Sequence, residues 1–116
     1  MIVSESFVVA DWRDDGGHPG RPIAALHVHN SDDEAWIVLE GRLGFRVGAQ
    51  QREVGAGESL LVERGTPHSY WNAAPEPARY LLVMTPRIHR LIEALHNGER
   101  DDYAKIFAEH DSLLLE

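Results

Sequence analysis

The sequence contains no cysteine, which excludes disulfides and thiolate metal sites and leaves the redox compartment open. It is also short of positive charge: 11 Lys and Arg stand against 19 Asp and Glu, a formal net charge of −8. Nucleic acid and anionic membrane are recognised through clustered Lys and Arg, so neither is expected as a partner. No apolar run approaches the roughly 20 residues that a membrane-crossing helix needs. The N-terminus lacks the basic and apolar regions of a signal peptide, and a cytoplasmic location is the resulting expectation. Nothing reads as a linker, a repeat or a low-complexity tract, and 116 residues suit one domain with its own core.

What the sequence does have is histidine in a telling pattern. His27 and His29 are separated by one residue, and on a strand such residues point to the same face. Asn30 to Asp33 can turn the chain so that Glu34 returns beside them. A third imidazole must come from elsewhere, and His68 follows the turn-like Gly65-Thr66-Pro67 just before another strand-like run. Three neutral nitrogens and a carboxylate suit one divalent transition metal, Fe, Mn, Ni or Zn, rather than Ca or Mg. His18 lies in a loop of turn formers and reads as solvated. His89 and His96 have no evident carboxylate partner and read as surface or packing residues.

Strands are expected at Ser6 to Trp12, Ile23 to His29, Glu34 to Val47 with a bend at Gly41, Gln51 to Val54, Ser59 to Glu63, His68 to Asn72 and Arg79 to Thr85. On the second of these strands Ile23, Ala25, His27 and His29 should share a face. Many short strands with regular turn signals indicate a barrel or sandwich. After Pro86 the period changes: Ile88, Leu91, Ile92 and Leu95 mark a helix with Gly98 as its C-cap. Asp102 is placed to cap a second short helix carrying Tyr103, Ile106 and Phe107. The barrel is taken as 1–86 and the helical extension, packed on it within the same domain, as 87–116. Glu34, Trp36 and Val38 share a strand face, so Trp36 should neighbour the metal side, either as cavity lining or as plain core. Tyr70, Tyr80 and Met84 are placed in the same way, as the wall of an aromatic, apolar pocket or as ordinary core.

The spacing H-x-H-x4-E-x6-G at His27, His29, Glu34 and Gly41 resembles the first cupin motif. Gly57, Gly65, His68 and Asn72 resemble the second, and the two motifs together span about half the chain. Glu63 stands where the family usually has a proline, and Gly20 is displaced by one position from the usual glycine before the first histidine. Neither departure touches a ligand position. The resemblance implies an all-β double-stranded β-helix, or jelly-roll, barrel followed by two short helices, as in small bacterial cupins that are quercetin-dioxygenase-like. It further implies one metal per chain on His27, His29, Glu34 and His68, and a homodimer formed through Ile2 to Ala10. The function expected is metal-dependent chemistry on a small oxygen-bearing substrate. Dioxygenase-like oxidation comes first, isomerase or polyketide-cyclase chemistry second, and a non-enzymatic ligand-binding barrel third. Glu34 is the candidate general base, since a carboxylate in an apolar cavity has a raised proton affinity.

Overall fold

In the computed structural model, which describes residues 1–116, the period-two stretches become ten strands in two antiparallel sheets. They are β1 Ile2–Val3, β2 Val8–Asp14, β3 Pro22–His29, β4 Glu34–Glu40, β5 Arg42–Val47, β6 Gln50–Gly55, β7 Ser59–Val62, β8 His68–Asn72, β9 Ala78–Met84 and β10 Ser112–Leu114. One sheet runs β1-β2-β9-β4-β7, the other β10-β3-β8-β5-β6. Successive strands change sheet at β6–β7, β7–β8 and β8–β9, as they do at β2–β3, β3–β4 and β4–β5, which makes the two sheets a double-stranded β-helix. At the β4–β5 crossing Gly41 adopts φ +77°, and a Cβ there would meet the Pro77 carbonyl oxygen at 2.5 Å. Only glycine gives both that conformation and that close approach.

The core fills the space between the sheets. Trp36 and Val38 from β4, Leu43 and Phe45 from β5, and Leu82 from β9 are all at most 1% exposed. Alternation carries this, since the intervening Ile37, Leu39 and Leu81 point outward from the first sheet. β3 breaks the expected parity. Its pairing with β8 slips between Pro22 and Ala24 and again between Ala24 and His27, so Ala24 packs against the core, three residues before the inward His27, while Ala25 stays exposed at the cavity edge.

α1 spans Pro86–Asn97, its first turn capped by the Thr85 hydroxyl accepting from the Ile88 N–H, and Gly98 is the C-cap. α2, Tyr103–Glu109, follows a single 3₁₀ turn, and the Asp102 side chain makes no capping bond to it, contrary to its sequence assignment. The C-terminal segment is not only helical. It ends in β10, which pairs Ser112 with His29, Leu113 with Val28 and Leu114 with His27. At the other end, β1 folds back on Val8 and Val9, so Ile2 is paired within the chain. Neither helix is long and apolar enough to cross a membrane.

Candidate metal centre and its cavity

β3 and β8 bring His27 opposite His68 in register, and β4 begins at Glu34, next to both. His27, His29, Glu34 and His68 are all buried, and their candidate ligand atoms lie within 4.8 Å of one another. Two ligands each roughly 2.1 Å from a common ion sit about 3–4 Å apart, so the four groups need only small movements to close on one metal.

The outward ring nitrogens set the tautomers. His27 Nδ1–H donates to the Ala25 carbonyl at 2.6 Å, and His68 Nδ1–H donates to the Thr66 carbonyl at 2.9 Å. A carbonyl can only accept, so both protons belong on Nδ1 and both Nε2 atoms face inward as acceptors. His29 Nδ1 lies 2.8 Å from the Ser112 hydroxyl, which itself donates to the His110 carbonyl at 3.1 Å and so has its lone pairs left for His29. Its buried Nε2 has no hydrogen-bond partner of good geometry, although Glu34 Oε1 lies 3.3 Å away. Glu34 Oε1 is also 3.0 Å from His68 Nε2. Acceptors facing acceptors at this range require a cation between them, a proton or a metal ion.

The electrostatics agree. Burial, then the neighbouring rings of His68 and His29, hold His27 down to about 4, so it is neutral and ready to ligate at neutral pH. Burial pushes the Glu34 carboxyl up, as expected from the sequence, but in the metal-free site, where the shared cation is a proton on the imidazoles, hydrogen bonding and charge from His29 and His68 outweigh it and bring Glu34 down to about 2. The expected raised proton affinity is therefore reversed by the neighbours. Glu34 is a carboxylate, not an acid. Softness of the donor set and near-complete exclusion from water make these residues a fit for a transition metal rather than a hard cation.

Three of the four lead into a cavity of about 450 Å³, with His27, His29 and Glu34 at its floor. Its walls are Leu82 from the barrel, Ile88, Leu91 and Ile92 from α1, and Phe107 from α2. Arg13, Ile23, His96 and Tyr103 rim the mouth, and the His96 ring lies 6.5 Å from that of Trp12. Tyr70 and Tyr80 line the interior, and their hydroxyls are 3.0 Å apart. Burial raises Tyr70 well above the ordinary phenol range and Tyr80 to about 12. Trp36 and Met84 do not reach this cavity. Trp36 is fully buried in the core, edge-on to Phe45, and Met84 borders a shallower depression beside Ser6 and Leu61. His18 is exposed, and His89 has an acceptor in Glu93 3.4 Å away, a carboxylate one helical turn along that the sequence reading passed over.

The sequence reading also missed Ser112 and the network that anchors its strand. Arg87 on α1 grips the buried Asp32 carboxylate through two bonds of 2.7 and 3.1 Å, and lies 3.5 Å from Asp111. Asp111 in turn accepts from the Ser31 hydroxyl at 2.6 Å and from the Asn30 amide at 3.2 Å. The β3–β4 turn, α1 and β10 are thus clamped around the metal-facing residues.

A family model described as "Cupin domain" matches residues 18–84. Among solved structures, an uncharacterized conserved protein with a double-stranded β-helix domain from Klebsiella pneumoniae is 28% identical, covering 74% of this chain and 68% of that one, with a TM-score of 0.62. TT1209 from Thermus thermophilus is also 28% identical, with 73% and 77% covered and a TM-score of 0.63. A sugar phosphate isomerase from a cupin superfamily, from Silicibacter pomeroyi, is 27% identical over 69% of this chain, which spans 50% of that one, with a TM-score of 0.60. No curated protein matches the chain.

Proposed function

The chain belongs to the cupin family, and on that footing we propose that it is a metal-dependent enzyme acting on a small oxygen-bearing organic substrate, with dioxygenase-like chemistry of the quercetinase type. The observation that carries this reading is the convergence of three imidazole lone pairs and the Glu34 carboxylate on one point at the floor of an apolar cavity. A bound divalent transition metal would supply polarisation of a substrate oxygen and, where redox-active, the means of oxidation by O₂. Everything else falls to the chain. His27, His29 and His68 hold fixed tautomers through their Nδ1 bonds, so the ligand set is preorganised. Ile88, Leu91 and Phe107 exclude water from the floor. Glu34 is ionised at neutral pH, so its carboxylate oxygens are free to ligate or to accept a substrate proton and have none to donate.

A second reading, an isomerase or cyclase that uses the metal as a Lewis acid, is favoured by the likeness to the Silicibacter isomerase. The two differ in their demand for air. Protein reconstituted with Fe, Mn, Ni or Zn is assayed on a flavonol, a β-diketone and a catechol, with O₂ uptake and product followed aerobically and anaerobically. Oxygen-dependent turnover supports the first reading, and equal turnover without air supports the second. Tight binding without conversion under every metal would leave a ligand-binding barrel.

We also propose a homodimer. The outward face of the first sheet carries an apolar row in register from Ile2 through Val9, Val83 and Ala35 to Leu61, flanked by Leu81, Ile37 and Leu39. Ile2 and Leu61 are 61% and 56% exposed, and β1 leaves an open edge. An apolar face of this breadth on a charged molecule is best covered by a second copy.

A further inference from the structure

We propose that the Tyr70–Tyr80 hydroxyl pair is a binding element for a second oxygen on the substrate, which is a neutral, ring-sized, largely apolar molecule. This deepens the enzyme reading and rests on it for the first oxygen, which would meet the metal centre.

The argument begins with donors and acceptors. Tyr70 and Tyr80 are 5% and 2% exposed, both face the cavity, and their hydroxyls lie 3.0 Å apart; the other polar side chain near them, the Trp36 indole beside Tyr70, is a donor and offers no acceptor. Two hydroxyls have two protons, and one bond uses one of them. The other O–H has no protein acceptor in a region where buried donors are almost always paired. An oxygen brought in by a ligand would accept it.

Position sets the distance. Tyr70 lies two residues beyond His68 on the same face of β8, a step of about 6–7 Å along a strand. An oxygen near the metal centre and one at the tyrosine pair would therefore be about one six-membered ring apart. The volume agrees with that scale, since a cavity of about 150 Å³ holds benzene and this one is about 450 Å³. Fused rings fit, and the walls of Leu82, Ile88, Leu91, Ile92 and Phe107 suit them.

Charge sets the class. The one Lys or Arg on the cavity lining is Arg13, at the mouth, with an exposed side chain already 3.4 Å from Asp15. With the metal centre taken by the first oxygen, a phosphate or free carboxylate elsewhere in the cavity would find no guanidinium or ammonium to pair with beyond Arg13. A sugar phosphate is the wrong chemistry for this lining, whatever the likeness of fold.

The probes are 3-hydroxychromone and 3,7-dihydroxychromone, bicyclic molecules with a chelating oxygen pair at one end. The second adds an oxygen at the far end. Binding of each, and of ribose 5-phosphate, is measured by calorimetry on metal-free and nickel-loaded protein. The wild type should bind the dihydroxy compound about tenfold more tightly than the monohydroxy one, and the sugar phosphate more weakly than either. In the double variant Tyr70→Phe/Tyr80→Phe the tenfold preference should vanish, with the fold and nickel content retained. The single variants show which hydroxyl donates outward, and they also serve if the double variant does not fold. Equal binding of the two chromones, a preference that survives loss of both hydroxyls, no chromone binding, or tighter sugar phosphate binding would overturn the proposal. Failure of the metal reading looks different: nickel would then add nothing to either chromone, while the preference for the 7-hydroxyl would persist.

Discussion

Ser112 holds His29. The two lie 83 positions apart in sequence, yet the serine hydroxyl sits 2.8 Å from His29 Nδ1, across the β3–β10 register that pairs these residues. The bond fixes the ring so that Nε2 faces Glu34 and the other imidazoles. A hydrogen bond of this kind to a metal-binding histidine is worth about 10–100-fold in affinity. Ser112→Ala should therefore lower metal affinity by at least tenfold, measured by competition with a chelator, while Ser112→Thr should keep most of it. An alanine variant that binds metal as tightly as wild type would remove Ser112 from the account.

Glu34→Gln separates ligation from proton transfer. The amide keeps the shape and one ligating oxygen but cannot take up a proton at working pH. The variant should keep a measurable share of its metal and lose at least about 100-fold in turnover, the scale of a lost general base. Turnover close to wild type on any substrate the protein converts would show that the proton goes elsewhere.

The pairing of Glu34, His27 and His68 was legible in advance because strand parity and motif spacing are local properties of the chain. Gly41 and Gly98 were legible for the same reason, one needing φ +77° and the other ending the apolar period of α1. Ser112 was not, because nothing local distinguishes a serine before Leu113, Leu114 and Leu115 from a frayed end. Its role exists only once β10 pairs with β3. The reversed proton affinity of Glu34 was hidden too, since burial alone argues upward and only the 3.0 and 3.3 Å approaches of two imidazoles turn it downward. The stripe of Ile88, Leu91, Ile92 and Leu95 was visible, but its place in the cavity wall depends on the direction in which α1 leaves β9.

Acid should weaken the metal-free fold before it protonates the carboxylates. His27 is neutral when folded, held at about 4 against an ordinary 6.5, so between those values the unfolded chain binds the extra proton. Stability is fully present above pH 6.5 and falls as pH drops towards 4, because the unfolded state gains the proton first. At pH 5 the loss from His27 should be about 2 kcal/mol, at roughly 1.4 kcal/mol per pH unit. Glu34 adds its own loss only below its ordinary 4.5, down through about 2. Urea unfolding of metal-free protein at pH 7.5 and pH 5 measures this. His27→Gln should flatten that part of the profile, and an equally steep profile in the variant would contradict the assignment.

The apolar row from Ile2 to Leu61 predicts association. Light scattering at micromolar concentration should give twice the chain mass of 13.0 kDa, and Ile37→Arg/Leu61→Arg should give a folded monomer. A monomeric wild type, or a dimer indifferent to both charges, would place the contact elsewhere or abolish it.

The most direct test of the central claim is elemental analysis of the untagged protein before and after reconstitution, beside the His68→Ala variant. The account predicts one equivalent of transition metal per chain in the wild type, and less than about a tenth of an equivalent in a His68→Ala protein whose circular dichroism is unchanged. Absence of stoichiometric metal in reconstituted wild type, or full occupancy without His68, would contradict it.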